Sequence, residues 1–195
     1  MVAAMRIVGG PLGGRRLRAP GGDATRPTSD KVREAIFQIL GPPPEGAIVV
    51  DLFAGSGALA LEALARGAAR AELVDLGRAA LAACRANARE LGLGARLTLH
   101  HGDALRWLSE ARGGPWTWVF IDPPYASDLA ARALTALGQP HPCLAPDAVI
   151  VVEHDRRHLP PERIGILLRT DQRRYGDTWL SFFSPAPPPG PETTP

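Results

Sequence analysis

The apolar run Trp118-Val119-Phe120-Ile121 ends in an acid, two prolines and an aromatic, Asp122-Pro123-Pro124-Tyr125. The run predicts a buried strand. Proline has no backbone N–H, so two in succession stop the hydrogen-bond ladder there. The carbonyls of Asp122 and Pro123 lose their sheet partners and become available to a ligand. Each proline also holds the residue before it in an extended conformation. The outcome is a stiff turn at the carboxyl end of a strand, with a carboxylate, two free carbonyls and the ring of Tyr125. That set suits an amino group on a flat ring: acceptors for its hydrogens, and a plate on which the ring stacks. The plainer reading is a strand end with a helix cap and a packed tyrosine.

A second group lies upstream. Val50-Asp51-Leu52-Phe53-Ala54-Gly55-Ser56-Gly57 leads from an apolar strand into a helix. Its glycines let the backbone approach a ligand and leave helix N–H groups free. Asp75 ends the next strand, where an acid can accept the two hydroxyls of a ribose. Asp103, in Gly102-Asp103-Ala104, follows the third strand and can reach an adenine amino edge. Gly55, Gly57 and Ala60 also fit the loose dinucleotide pattern G-x-G-x-x-A, so a nicotinamide (NAD) oxidoreductase is a competing reading. Asp51 weighs against it, because it sets an acid where a pyrophosphate would approach. A cationic sulfonium ligand with an amino-acid tail tolerates that acid better.

The elements that must position these residues alternate. Strands are expected at 47–52, 71–75, 96–100, 118–121 and 148–153, with helices at 58–66, 78–91, 104–111 and 129–137. Such alternation implies an α/β fold with a parallel sheet covered on both faces. Two further strand-like pieces, 163–169 and 179–183, leave no room for a helix between them and predict an antiparallel hairpin at one edge. The fold is expected to begin at Met5. Arg6–Gly10 and Arg15–Arg18 flank a glycine-rich turn and read as a small hairpin, too polar to be a core element. A helix over 31–40 follows, with Thr28, Ser29 or Asp30 as its cap and Val32, Ile36, Ile39 and Leu40 on one face. Gly41-Pro42-Pro43-Pro44 closes it. The division expected is an arm over 1–44, a main domain over 45–184, and a disordered Pro-rich tail over 185–195.

Length and composition bound the function. The 195 residues suffice for one sizeable core. A formal charge of +2 is too small to demand a nucleic-acid partner by itself. Its distribution is more informative: Arg6, Arg15, Arg16, Arg18, Arg26, Lys31 and Arg33 face only Asp23, Asp30 and Glu34 over the same stretch. Arginine suits phosphate forks. Cys84 and Cys143 are isolated, which argues against a disulfide framework and a zinc site. His100-His101 reads as a strand end, not a metal site. With neither a signal-peptide pattern nor a membrane-length apolar run, a cytoplasmic location is expected.

Taken together, these residues resemble the class I S-adenosylmethionine methyltransferases, with Asp51–Gly57 similar to their cofactor loop and Asp122–Tyr125 to their amino-methylating motif. Arg6-Ile7-Val8-Gly9-Gly10, Arg15-Arg16-Leu17, Thr25–Glu34 and Gly55-Ser56-Gly57-Ala58-Leu59 are similar to the bacterial 16S rRNA guanine-N2 methyltransferases of RsmD type. The resemblance runs from about Met5 to Phe183. It implies a Rossmann-like, mostly parallel seven-stranded sheet with the hairpin at its end. It also implies methyl transfer from S-adenosylmethionine to a guanine amine in 16S rRNA, free or within a 30S particle, by a monomer. Asp122, Pro123, Pro124 and Tyr125 would be catalytic. Arg26 and Thr28 would lie over the cofactor's amino-acid end. Asp51, Phe53, Ala54, Gly55, Gly57, Asp75, Leu76, Asp103 and Ala104 would complete the cofactor site. Arg6, Arg15, Arg16, Arg18, Lys31 and Arg33 would contact RNA. The chain departs from the family at Gly77, where a second acid is usual. Adenine-N6 and cytosine-N4 methylation use the same Asp-Pro-Pro-Tyr motif and remain alternatives, as does a non-catalytic RNA-binding module.

Overall fold

The computed structural model describes residues 5–20, 29–124 and 127–186. Its strands are β1 (Ile48–Asp51), β2 (Arg70–Asp75), β3 (Leu97–His101), β4 (Trp116–Ile121), β5 (Leu144–His154), β6 (Arg163–Ile164), β7 (Leu167–Tyr175) and β8 (Thr178–Pro185). They form one sheet in the order β3-β2-β1-β4-β5-β8-β7-β6. The first five are parallel, and β8, β7 and β6 join antiparallel. The sheet therefore has eight strands rather than the seven expected. The extra one arises because Gly165, at φ 55°, turns Arg163-Ile164 back onto Leu167-Leu168. A two-residue hairpin needs that left-handed conformation. Pro185 still pairs with Leu167, so β8 runs into the stretch expected to be tail.

The strands bury both faces, which explains their near-continuous apolar character. Val49, Leu73, Trp118, Phe120 and Val151 point to one face, with helices α2 (Ala58–Ala65) and α3 (Arg78–Glu90). Val50, Val74, Val119, Ile121 and Val152 point to the other, with α4 (Ala104–Glu110) and α5 (Leu129–Leu137). Alternation along each strand thus assigns every residue at its carboxyl end to a known face.

The amino-terminal segment departs most from expectation. Met5, Ile7 and Leu17 are buried in the core of the α2/α3 face. Helix α1 (Asp30–Leu40) lies on that face too, capped by Ser29, whose hydroxyl accepts from the Val32 N–H at 3.3 Å. Its buried stripe contains Val32, Arg33, Ala35, Ile36 and Phe37, whereas Ile39 is exposed. Phe37 replaces Ile39 because it meets Trp118 and Phe120 edge-on, at centroid distances of 6.1 and 5.8 Å. The arm is therefore part of the main core.

Its polar ties explain how so short a piece is held. Glu62, fully buried in α2, accepts from the Val8 and Gly9 N–H groups at 2.7 and 2.8 Å and pairs with Arg66. Asn87 of α3 accepts from the Arg18 N–H, and its amide donates to the carbonyls of Arg18 and Ser56. Buried polar groups are expected to be satisfied in this way. Among the described residues no helix is long and apolar enough to cross a membrane.

Candidate cofactor and substrate site

Four acids stand at the carboxyl ends of four adjacent parallel strands. In the register, Asp51 is level with Leu73 and Phe120, and Phe120 with Val151. Asp75 and Glu153 lie two residues further along their strands, and Asp122 two residues past Phe120, just beyond the end of β4. Two residues is one full repeat of the pleat, so all four belong to the α2/α3 face. Across the sheet their order is Asp75, Asp51, Asp122, Glu153. Carboxyl ends beside a change of strand order are where such sheets bind ligands.

Asp51 is 2% exposed, and its Oδ1 is buried without a hydrogen-bond partner. Burial, followed by the charges of Asp122 and Asp75, pushes its pKa up to about 8. A buried carboxylate among other acids favours the proton, and among the described residues no cation offsets its lost hydration. A positively charged ligand would reverse that preference.

The glycine loop after Asp51 is held open from behind. The Asp75 carboxylate accepts from the Gly55 N–H at 2.8 Å and from the Gly77 N–H at 2.7 Å. The Cys84 thiol donates to the Gly55 carbonyl, and burial pushes that thiol's pKa up, so it stays protonated. A Cβ on Gly57 would press on Cys84 and Leu73 at 3.1 and 3.2 Å, and its φ of 78° disfavours any side chain. Among the described residues, only the Phe53 carbonyl comes within 4 Å of such a Cβ on Gly55, at φ 54°, so they leave its outer side open. Phe53 is half-buried, Ala54 is buried, and Leu76 is an exposed large apolar side chain directly after Asp75. Asp103 caps α4, accepting from the Arg106 N–H at 2.8 Å, and Ala104 is buried below it. An open glycine loop flanked by acids, with an orphaned buried carboxylate oxygen, fits an adenosyl sulfonium amino acid.

Asp122 and Pro123 are half-buried, and Pro124 is exposed. The Pro124 carbonyl accepts from the Ser127 hydroxyl at 2.9 Å. A cleft beside them is lined by Pro123, Pro124, Ala130, Glu153 and His154. Burial lowers the pKa of His154, so its ring is neutral at pH 7. Its Nδ1 faces the Asp155 carbonyl at 2.9 Å and therefore carries the hydrogen. Nε2 then accepts from the Ser181 hydroxyl, whose oxygen accepts from Gln172. This chain of bonds fixes the wall of the cleft. Sequence reasoning missed Glu153 and His154. Their signal was two polar residues ending the run Val149–Val152, just as Asp51 and Asp122 end theirs.

Arg26, Thr28 and Tyr125 lie outside the described residues. Of the expected RNA contacts, Arg33 is corrected: it is fully buried and donates to the Arg6 carbonyl at 2.6 Å and to Asp30 at 2.7 Å. It ties α1 to the arm. Arg6 pairs with Asp30, Arg18 pairs with Glu90, and Arg15 donates to the Glu90 carbonyl. Arg16 and Lys31 are exposed.

Residues 5–184 match the protein-family model described as "Conserved hypothetical protein 95". Ribosomal RNA small subunit methyltransferase D of Escherichia coli (strain K12) is 40% identical over 152 residues, 77% of this chain and 75% of its own. The Bacillus subtilis (strain 168) protein YlbH is 39% identical over 181 residues, covering 92% and 98%. The solved structure of yhhF from Escherichia coli superposes with a TM-score of 0.80 at 33% identity, over 94% of this chain and 98% of that one. With one family model spanning nearly its whole length and relatives of this closeness, the chain belongs to the Conserved hypothetical protein 95 family, the RsmD type of class I methyltransferase fold.

Proposed function

We propose that this protein methylates the exocyclic N2 amine of a guanine in 16S rRNA, with S-adenosylmethionine as methyl donor. The observation that carries the reading is the row of acids, in which Asp122, on the stiff Asp-Pro-Pro turn, neighbours the buried, proton-holding Asp51. The name of the Escherichia coli relative supports rRNA of the small subunit as the substrate class. When bound, the cofactor supplies an electrophilic methyl group on a sulfonium. The residues fit that group: Asp75 would hold the ribose, the Gly55 loop would take the amino-acid tail, and Asp51 would offset the positive charge.

At the acceptor, the task of the chain is orientation. A guanine N2 lone pair is delocalised into the ring and is a poor nucleophile. The Asp122 carboxylate and Pro123 carbonyl would accept the two amine hydrogens and favour a pyramidal nitrogen, with its lone pair turned toward the methyl. Holding the reactants in line supplies much of the rate. As the N–C bond forms, the methyl–sulfur bond would break with S-adenosylhomocysteine as leaving group, and the released proton would pass to Asp122 or to water. A base in a stem must leave its stack, at a cost of about a few kcal/mol. Stacking on Tyr125 would offset roughly 1–3 kcal/mol of that.

The test is incubation with radiolabelled S-adenosylmethionine, rRNA and 30S particles, followed by nucleoside analysis. N2-methylguanine is expected. N6-methyladenine or N4-methylcytosine would replace the proposal with another amino methylation, and preferential NAD binding in calorimetry would overturn it.

A further inference from the structure

The row of acids has one more member than cofactor binding and amine activation require. Glu153 follows Val152, which is level with Ile121, the last residue of β4, so Glu153 and Asp122 are the next residues along two neighbouring chains. Both belong to the same face, and neighbouring strands lie about 5 Å apart. Glu153 is on the side of Asp122 away from Asp51 and Asp75, and therefore away from the cofactor. It is 7% exposed and borders the cleft beside Pro123 and Pro124. Its strand position is fixed on the far side by pairing with Leu180 of β8. Next to it, the bond from Ser181 to His154 holds the end of β5. This is a largely desolvated acceptor on a fixed strand, one strand from the group that holds the target amine.

From this geometry we infer that Glu153 selects guanine, by accepting the N1–H beside the N2 amine held at Asp122. The inference rests on the guanine-N2 reading above. Guanine presents two neighbouring kinds of donor on that edge, N1–H and the N2 amine. Adenine and cytosine each present an amine beside a ring nitrogen that bears a lone pair. An acceptor oxygen on each of two neighbouring side chains, Asp122 and Glu153, matches the first pattern. Against the second, Glu153 would meet a lone pair, and desolvated like-against-like contacts reject a wrong partner strongly. Enzymes that act on extruded bases read this edge by hydrogen bonding. The shared Asp-Pro-Pro turn cannot discriminate, since all three bases carry an amine. A second acid on the neighbouring strand can. Glu153 is thus a specificity residue, and no step of bond making passes through it.

The experiment first maps the modified guanine with the full-length protein. It then compares rRNA or 30S substrates carrying guanine, 2,6-diaminopurine or adenine at that position. Diaminopurine keeps the 2-amine and lacks N1–H, so it probes the contact without altering the protein. The wild type should prefer guanine over diaminopurine by about 100-fold or more in kcat/KM, as expected when a buried polar group loses its partner. In Glu153→Gln, whose amide can turn a donor toward N1, the preference should narrow to about tenfold or less. S-adenosylhomocysteine affinity should stay unchanged. Equal use of guanine and diaminopurine by the wild type overturns the inference even if the variant fails to fold. An unchanged preference in a folded Glu153→Gln overturns it as well. A wild-type product other than N2-methylguanine refutes the guanine reading itself, and with it this role for Glu153.

Discussion

At the scale of single residues, Asp51 makes the sharpest claim. Its pKa is raised from 3.8 to about 8, because burial and two neighbouring acids favour the protonated form in the folded chain. Unfolded, it ionises near its ordinary value. The folded state therefore holds a proton that the unfolded state has lost, and stability drains away as pH rises between those two values. The ligand-free protein should lose melting temperature from pH 5 to 8.5 more steeply than Asp51→Asn, with the two curves converging in acid. Parallel curves would contradict a proton held on Asp51. Its neighbours separate in role. Asp122→Ala should abolish most turnover while leaving cofactor affinity nearly intact. Asp75→Ala should weaken cofactor binding and also lower the melting temperature, because the Gly55 and Gly77 N–H groups lose their acceptor. Calorimetry with S-adenosylhomocysteine, paired with turnover, distinguishes the two. A loss of affinity in Asp122→Ala matching that of Asp75→Ala would contradict the division.

At the scale of elements, the buried Glu62 is the staple between the arm and α2. Replacing it with glutamine keeps the volume but turns a donor toward the Val8 or Gly9 N–H and weakens the pair with Arg66. Removing one side of a buried charged network costs about 3 kcal/mol. Glu62→Gln should lower denaturant stability by about that amount and expose the hairpin amides to hydrogen exchange; protection equal to wild type would count against the staple. The sequence hid this contact for a physical reason. Period-2 and period-3.6 patterns report which face of an element is buried, so all five parallel strands and their helices were legible. A lone glutamate in Ala58–Ala65 carries no periodic signal, and its partners are backbone groups more than fifty residues away. The same blindness made Met5, Ile7 and Leu17 look too sparse for a core. On a two-residue period they line one side of a hairpin, but only the structure shows that this side lies on the α2/α3 face. At the site, Asp51, Asp75 and Asp122 were legible because glycine or proline punctuation follows each strand end. Glu153 has no such punctuation: its weaker signal is a polar residue ending the run Val149–Val152, and strand register brings it next to Asp122.

At the scale of the whole molecule, the arm's arginines divide into two sets. Arg33 is interior, and Arg6, Arg15 and Arg18 reach partners on α1 and at the end of α3. Those surface pairs are individually weak: the Arg18 and Glu90 side chains are 66% and 39% exposed, and exposed pairs contribute about 0–1 kcal/mol. They orient the arm without consuming its positive charge. Arg16, directly opposite Arg6 in the hairpin bridge, and Lys31 on the first turn of α1 extend the same basic surface. If that surface holds RNA phosphates, each lost contact removes about one unit from the slope of log affinity against log salt. Phosphate contacts position a nucleic acid without reading its bases. Arg16→Ala with Lys31→Ala should therefore flatten the slope by about two units and leave melting temperature and cofactor affinity unchanged. Arg15→Ala with Arg18→Ala should flatten it similarly and also lose a small amount of stability, because the ties to Glu90 go with them. Titrations of an rRNA fragment at several salt concentrations, run beside thermal melts, resolve the two pairs. A full wild-type slope in both double variants would move the RNA-binding surface off the arm, leaving its arginines as fasteners of the fold.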